Sequence, residues 1–108
     1  MPHLSEIMVN DCKYVNGDLL VIEVIDVDNI IVGIVQTILI KNDKVYFVVL
    51  RYDASRNFLQ YFESKQSDDP VSTYVKSDDL ADFKPLIKRG SISRFEFVLH
   101  HRISFYYK

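Results

Sequence analysis

The 108 residues carry a formal charge of −2, with 48% apolar and 13% aromatic side chains. That composition is far from that of a disordered chain and predicts one domain with a single core, while the charge balance argues against a dense basic face of the kind that holds duplex nucleic acid. The longest apolar stretches, Leu19 to Ile25 and Ile30 to Val35, lie among Glu23, Asp26, Asp28 and Asn29 and stay short of the ~20 residues that span a bilayer, so no membrane partner is expected.

In chain order, residues 1–11 read as a loose lead-in to a domain over residues 12–108. The opening Met-Pro-His-Leu-Ser-Glu lacks the basic flank and apolar centre of a secretory signal, and the lone Cys12 has no internal disulfide partner; both indicate an intracellular location. Val15-Asn16-Gly17-Asp18 is a turn signal, since Asn-Gly supplies positive φ. A strand follows from Leu19 to about Ile25 and breaks at Asp26-Val27-Asp28-Asn29.

Ile30 to Lys41 and Lys44 to Tyr52 are rich in β-branched and aromatic residues and flank Asn42-Asp43, the pattern of a tight antiparallel hairpin. Gly33 inside the first arm marks a bend, a bulge or a close backbone approach. In the second arm Val45, Phe47 and Val49 lie on one face and Tyr46, Val48, Leu50 and Tyr52 on the other, so both faces need cover. After a loop over Asp53-Ala54-Ser55-Arg56, further strands are predicted at Asn57 to Ser64, Val71 to Val75 and, after Gly90, Ile92 to Leu99. Ser77 to Asp82 reads as a short helical turn, with a capping side chain and early acids, stopped by Pro85. The tail Ile103 to Tyr107 adds an edge strand or packs across a barrel mouth. Five or six short strands with one helical turn give an all-β plan, a small SH3-like antiparallel barrel.

Side chains with catalytic patterns are sparse. One cysteine and the adjacent His100-His101 do not supply a tetrahedral metal set, and adjacent histidines on a strand face opposite ways. Gly17, Gly33 and Gly90 are too far apart for a phosphate loop. The acid pairs Asp68-Asp69 and Asp78-Asp79 read as solvated loop charge, and Ser91, Ser93 and Ser104 sit in no nucleophile-elbow pattern. A non-enzymatic role without cofactor or metal follows.

Two binding features remain. Acidic side chains outnumber basic ones fourteen to seven through Asp82, after which Lys84, Lys88, Arg89, Arg94, Arg102 and Lys108 face Glu96 alone. Aromatic residues fall on or beside neighbouring strands, with Tyr46, Tyr52 and Tyr61 the first candidates for an exposed groove. Such rings can hold a methylated lysine, grip a peptide or stack bases.

Gly17-Asp18, Val32-Gly33-Ile34-Val35 with Ile38, Tyr46-Phe47-Val48-Val49, Arg51-Tyr52, Ser77-Asp78-Asp79-Leu80 and Pro85-Leu86 follow one another as in bromo-adjacent homology modules, which the chain resembles over most of Tyr14 to Ile103. That resemblance implies an SH3-like, chromatin-associated barrel that engages proteins, including histone tails. Gly33-Ile34-Val35-Gln36-Thr37-Ile38, Val45-Tyr46-Phe47-Val48-Val49, Asp79-Leu80-Ala81-Asp82-Phe83-Lys84-Pro85-Leu86 and Leu99-His100-His101-Arg102-Ile103 resemble an uncharacterised β-module of animal proteins encoded by, or derived from, mobile elements. This second resemblance implies an accessory module of a larger nuclear protein. The first expectation is therefore a module that binds a protein segment. The second is a nucleic-acid-binding barrel using Lys84, Lys88, Arg89, Arg94 and Arg102, and the third is self-association through sheet edges.

Overall fold

Asn-Asp pairs turn the chain twice in the same way. In the computed structural model, which describes residues 3–57, 61–65, 70–91 and 94–99, Asn42 and Asp43 have φ of 52° and 62°, and Asn10 and Asp11 have φ of 50° and 65°. Two successive left-handed residues form the two-residue turn whose twist suits antiparallel strands, and Asn and Asp tolerate that region well. In chain order the strands are β1 (His3–Leu4), β2 (Glu6–Val9), β3 (Cys12–Val15), β4 (Leu19–Asp26), β5 (Asn29–Lys41), β6 (Lys44–Arg56), β7 (Phe62–Ser64), β8 (Val71–Lys76), β9 (Asp82–Leu86), β10 (Lys88–Ser91) and β11 (Arg94–Phe97). One 3₁₀ turn, Ser77–Asp79, accompanies them, and there is no α-helix among the described residues, hence none long and apolar enough to cross a membrane.

The predicted hairpin forms, with β5 and β6 paired from Lys41↔Lys44 to Asn29↔Ser55. Each arm is long enough to bond two partners in succession on its outer edge. β5 pairs with β4 near its start and with β1 at Ile38 and Leu39; β6 pairs with β8 over Tyr46 to Arg51 and with β7 over Ala54 to Arg56. A path of seven antiparallel strands, β10-β11-β7-β6-β5-β4-β9, curls strongly into a half-barrel. Its two end strands, β9 and β10, are separated in the chain by Ile87 alone. Two peptide units reach at most ~7 Å, so covalent continuity draws the ends together and the sheet must curl.

The core changes sides along the hairpin. Near the base, Ile30, Val32 and Ile34 of β5 and Tyr52 and Ala54 of β6 pack with Leu19, Val21, Phe62, Leu86, Phe95 and Phe97. Towards the turn the opposite face is filled, where Val35, Ile38, Phe47 and Val49 pack with Tyr14, Leu20 and Val75 under the small β2–β3 sheet. The register shift between Val35 and Thr37, a bulge at Gln36, lies at the changeover. Both faces of the second arm therefore find cover inside one chain, at different heights.

Several local expectations are corrected. Much of the supposed lead-in is strand: β1 extends the sheet and β2 pairs with β3 from Glu6↔Val15 to Val9↔Cys12, because Asn10-Asp11 turns as Asn42-Asp43 does. Asp53 to Arg56 continues β6 rather than looping, and of Asn57 to Ser64 only Phe62–Ser64 is strand among the described residues. The helical turn is limited to Ser77–Asp79, with no side-chain cap. Pro85 lies within β9, which forms a strand ladder only with β4 among the described residues, and an end strand tolerates a missing N–H. The last predicted strand, Ile92 to Leu99, contains β11, while Gly90, read as preceding it, lies inside a further strand, β10, that pairs with β11. The described residues thus hold eleven strands rather than five or six, because the long arms each recruit two partners. The tail over Ile103 to Tyr107 lies outside the described residues.

Gly33 pairs with Leu20 and Arg51 in the middle of the sheet. Its role is close approach rather than a special φ: an added Cβ would lie 2.7 Å from both Ile22 Cδ1 and Val49 Cβ. Ile22 occupies a bulge of β4 between Val21 and Glu23, and its side chain takes the room glycine leaves. At the hairpin's base, Asp26 accepts hydrogen bonds from the Asp28 N–H and the Asn29 amide, which hold its carboxyl below the usual range. Arg56 reaches the same turn, donating to the Val27 carbonyl at 3.1 Å while its guanidinium lies 4.9 Å from the centre of the Phe62 ring.

The β2–β3 sheet is fastened to β9 through one carbonyl. Phe83 O accepts from the Tyr14 hydroxyl and, at 3.7 Å, from the Cys12 thiol. Burial first, then the Cys12 hydrogen bond and the charges of Cys12, Asp82 and Asp18, push the Tyr14 phenol well above its ordinary range.

Gly33→Val should lower stability by about 1–3 kcal/mol through overpacking, measured by thermal or urea unfolding; an unchanged midpoint would show that Ile22 and Val49 yield freely. Because the folded state raises the Tyr14 pKa, its contribution is intact below the unfolded value of about 10 and is lost as pH rises beyond it. Tyr14→Phe should accordingly cost about 1 kcal/mol at neutral pH and flatten the decline in stability above pH ~10, read from urea midpoints across that range.

Candidate functional site

Where the core changes sides, one quadrant of the hairpin keeps polar and aromatic side chains outside either core. Residues directly opposite one another in an antiparallel pair share a face, so the registers define rows across the strands. One row runs His3, Leu39, Tyr46, Lys76 across β1, β5, β6 and β8. Beside it run Thr37, Val48, Tyr74 on one side and Lys41, Lys44 on the other. A groove of about 390 Å³ opens here, lined by Leu39, Lys41, Tyr46 and Tyr74. Tyr74 is 69% exposed, the Tyr46 ring is half-buried and Leu39 forms a buried floor.

The groove's inner end is fixed by a hydrogen bond of 3.0 Å between the Ser72 hydroxyl and Gln36 Oε1, the bulge residue. His3 Nδ1 lies 3.4 Å from Thr37 Oγ1 at the opposite flank. Lys41 and Lys44 are exposed and Lys76 is half-buried, and none of the three forms an ion pair among the described residues. Beyond them, β8 bonds β6 on one edge only among the described residues. Its six residues, Val71–Lys76, thus present a row of backbone donors and acceptors next to the groove.

The three tyrosines singled out from the sequence are not brought together. Tyr46 lies in this groove, but Tyr52 is 5% exposed and packs edge-on to Phe95 with ring centres 5.3 Å apart. Tyr61 stands elsewhere, half-buried beneath the Arg89 guanidinium at 5.0 Å. Tyr46 and Tyr52 share a parity on β6, yet the core crosses between them, so one is a groove wall and the other interior. The missed members, Leu39, Lys41, Lys44 and Lys76, had one legible signal: lysines flanking an Asn-Asp turn must face each other.

Among the described residues the late basic side chains are spread over three strands, Lys84 on β9, Lys88 and Arg89 on β10 and Arg94 on β11. Arg89 and Arg94 share a groove of about 270 Å³ with Glu63 and Glu96, and Arg89 bonds Glu96 at 3.2 Å. Lys88, its neighbour on β10, faces the other way by strand alternation, and Lys84 is on β9. Arg102, His100 and His101 lie outside the described residues. Among the described residues no three His, Cys, Asp or Glu side chains gather as metal ligands. Comparison with protein-family models, with curated proteins and with solved structures gives no match.

A groove side chain that serves recognition rather than packing should be removable. Tyr74→Ala is expected to shift stability by no more than about 0.5 kcal/mol, whereas Tyr52→Ala should cost about 3–5 kcal/mol; chemical denaturation of both variants checks the contrast.

Proposed function

We propose that this chain is a non-catalytic interaction module that takes an extended protein segment as an added strand on β8, with alternate side chains of that segment lying over Tyr74 and Tyr46. The observation that carries this reading is the six-residue strand β8, whose outer edge has no partner among the described residues, beside the tyrosine groove. In strand addition, main-chain hydrogen bonds supply affinity and pockets for every second side chain supply specificity. Edge and pocket are adjacent here, and the rim residues are exposed or half-buried rather than committed to either core.

The curled sheet is read as a variant of the small SH3-like barrel, the plan on which bromo-adjacent homology modules engage proteins. The setting proposed is an accessory role in a larger nuclear protein derived from a mobile element, as the sequence resemblance implies. Nucleic-acid binding through Lys84, Lys88, Arg89, Arg94 and Arg102 ranks second, because Glu63 and Glu96 sit among the arginines and a phosphate track needs uncompensated charge. Self-association through the β8 edge is the third reading.

Panning a random peptide library on the whole chain should enrich peptides that slow hydrogen exchange at residues 71–76, and Tyr74→Ala should weaken their binding about tenfold or more, a loss of ~1.4 kcal/mol. Failure to recover any peptide, together with salt-sensitive binding of oligo-dT or oligo-U that is lost in a Lys88→Ala, Arg89→Ala, Arg94→Ala variant, would move the function to the basic residues. Protection of the same amides with protein concentration alone, accompanied by a doubled mass in light scattering, would show that the edge pairs with a second copy.

A further inference from the structure

The residues around the β8 edge also specify the chemistry of its occupant. We infer that the added segment is acidic, with a carboxylate two residues away from an aromatic or branched apolar side chain; this rests on the strand-addition reading above. An incoming strand would lie about 4.8 Å from β8 and place alternate residues on the groove face, opposite Lys76 and Tyr74 and then Ser72, which share that face.

The position opposite Lys76 is the one charge decides. Lys76 pairs with Tyr46, and Lys44 stands two residues from Tyr46 on the same face, with Lys41 directly across from Lys44. Cross-strand diagonals such as Lys76–Lys44 are ~7–8 Å, so the position faces Lys76 directly, with Lys44 and Lys41 one and two strands further off on the same face and no ion-pair partner for any of the three among the described residues. A carboxylate there pairs with Lys76 and lies in the positive field of Lys44 and Lys41, a neutral residue leaves Lys76 without a counter-charge, and a lysine adds repulsion. Two residues along, the facing side chain meets Tyr74 and, beyond it, Val48, an apolar and aromatic surface.

The same features disfavour a nucleic acid strand. Asp43 caps the patch in the turn, and Asp78 and Asp79 follow closely after Lys76, so the positive patch is too short to track successive phosphates. The outer edge of β8, unpaired among the described residues, offers backbone N–H and C=O groups in the spacing of another polypeptide, which a phosphodiester does not match.

The test uses three pools of random octapeptides that share a fixed Glu-x-Phe, Gln-x-Phe or Lys-x-Phe step, measured against the whole chain. The Glu pool should bind about tenfold or more tightly than the Gln pool, with the Lys pool weakest, and the differences should shrink as salt rises. A Lys41→Glu, Lys44→Glu, Lys76→Glu variant should reverse the order; if its thermal midpoint falls, the corresponding glutamine variant, in which the three pools should converge, replaces it. Equal binding of all pools with protection of residues 71–76 would overturn the acidic preference and leave strand addition standing. No binding by any pool, or binding of oligo-dT that the three lysine substitutions abolish, would overturn both.

Discussion

A hairpin with thirteen-residue arms that is apolar on both faces sets the terms for everything else in this protein. Burying one large aliphatic or aromatic side chain is worth about 1.5–3 kcal/mol, so neither face can be left to water. A single layer of cover on one side would bury only half of these residues. The chain instead covers one face at the base, with the curled strands β4, β7, β9 and β11, and the other face near the turn, with β8 and the β2–β3 sheet. Gly33 and the Gln36 bulge lie where this exchange takes place, which explains why room for a Cβ is lacking at that point.

The exchange has a functional consequence. Where the core crosses to the opposite side, the face it leaves is lined by Leu39, Tyr46 and Tyr74, with lysines on the rim. Its concavity and chemistry are by-products of how the core is divided, and the edge of β8 that is unpaired among the described residues borders it, since the rest of β6's outer edge bonds β7. Site and scaffold are thus coupled: the rigid hairpin carries Tyr46 and Lys44, and a strand bonded to it carries Tyr74 and Lys76.

Directed contacts add to core burial in holding the small sheet and the turn after β4. Phe83 O gathers the Tyr14 and Cys12 donors, and Arg56 links the turn after β4 to the Phe62 ring. Ile87, 81% exposed, joins the first and last strands of the curled path. An exposed linker of one residue leaves little freedom, so the half-barrel's curl is a covalent requirement as much as a packing preference.

Residue patterns alone determined the all-β character, the Asn42-Asp43 hairpin, the β4 strand after Gly17 and the need of both faces of β6 for cover, because these depend on local φ preferences and on alternation within one strand. They did not determine the extent of β6 past Tyr52, the strands His3–Leu4 and Glu6–Val9 or the β10–β11 pairing, since short strands are stabilised by their partners rather than by their own composition. The candidate site divides the same way. Tyr46 was legible as an aromatic residue on a strand, but whether it or Tyr52 faced solvent hinged on the height at which the core changes sides. That height is set by a one-residue bulge and by which strands pack above and below it, and both are properties of the assembled sheet.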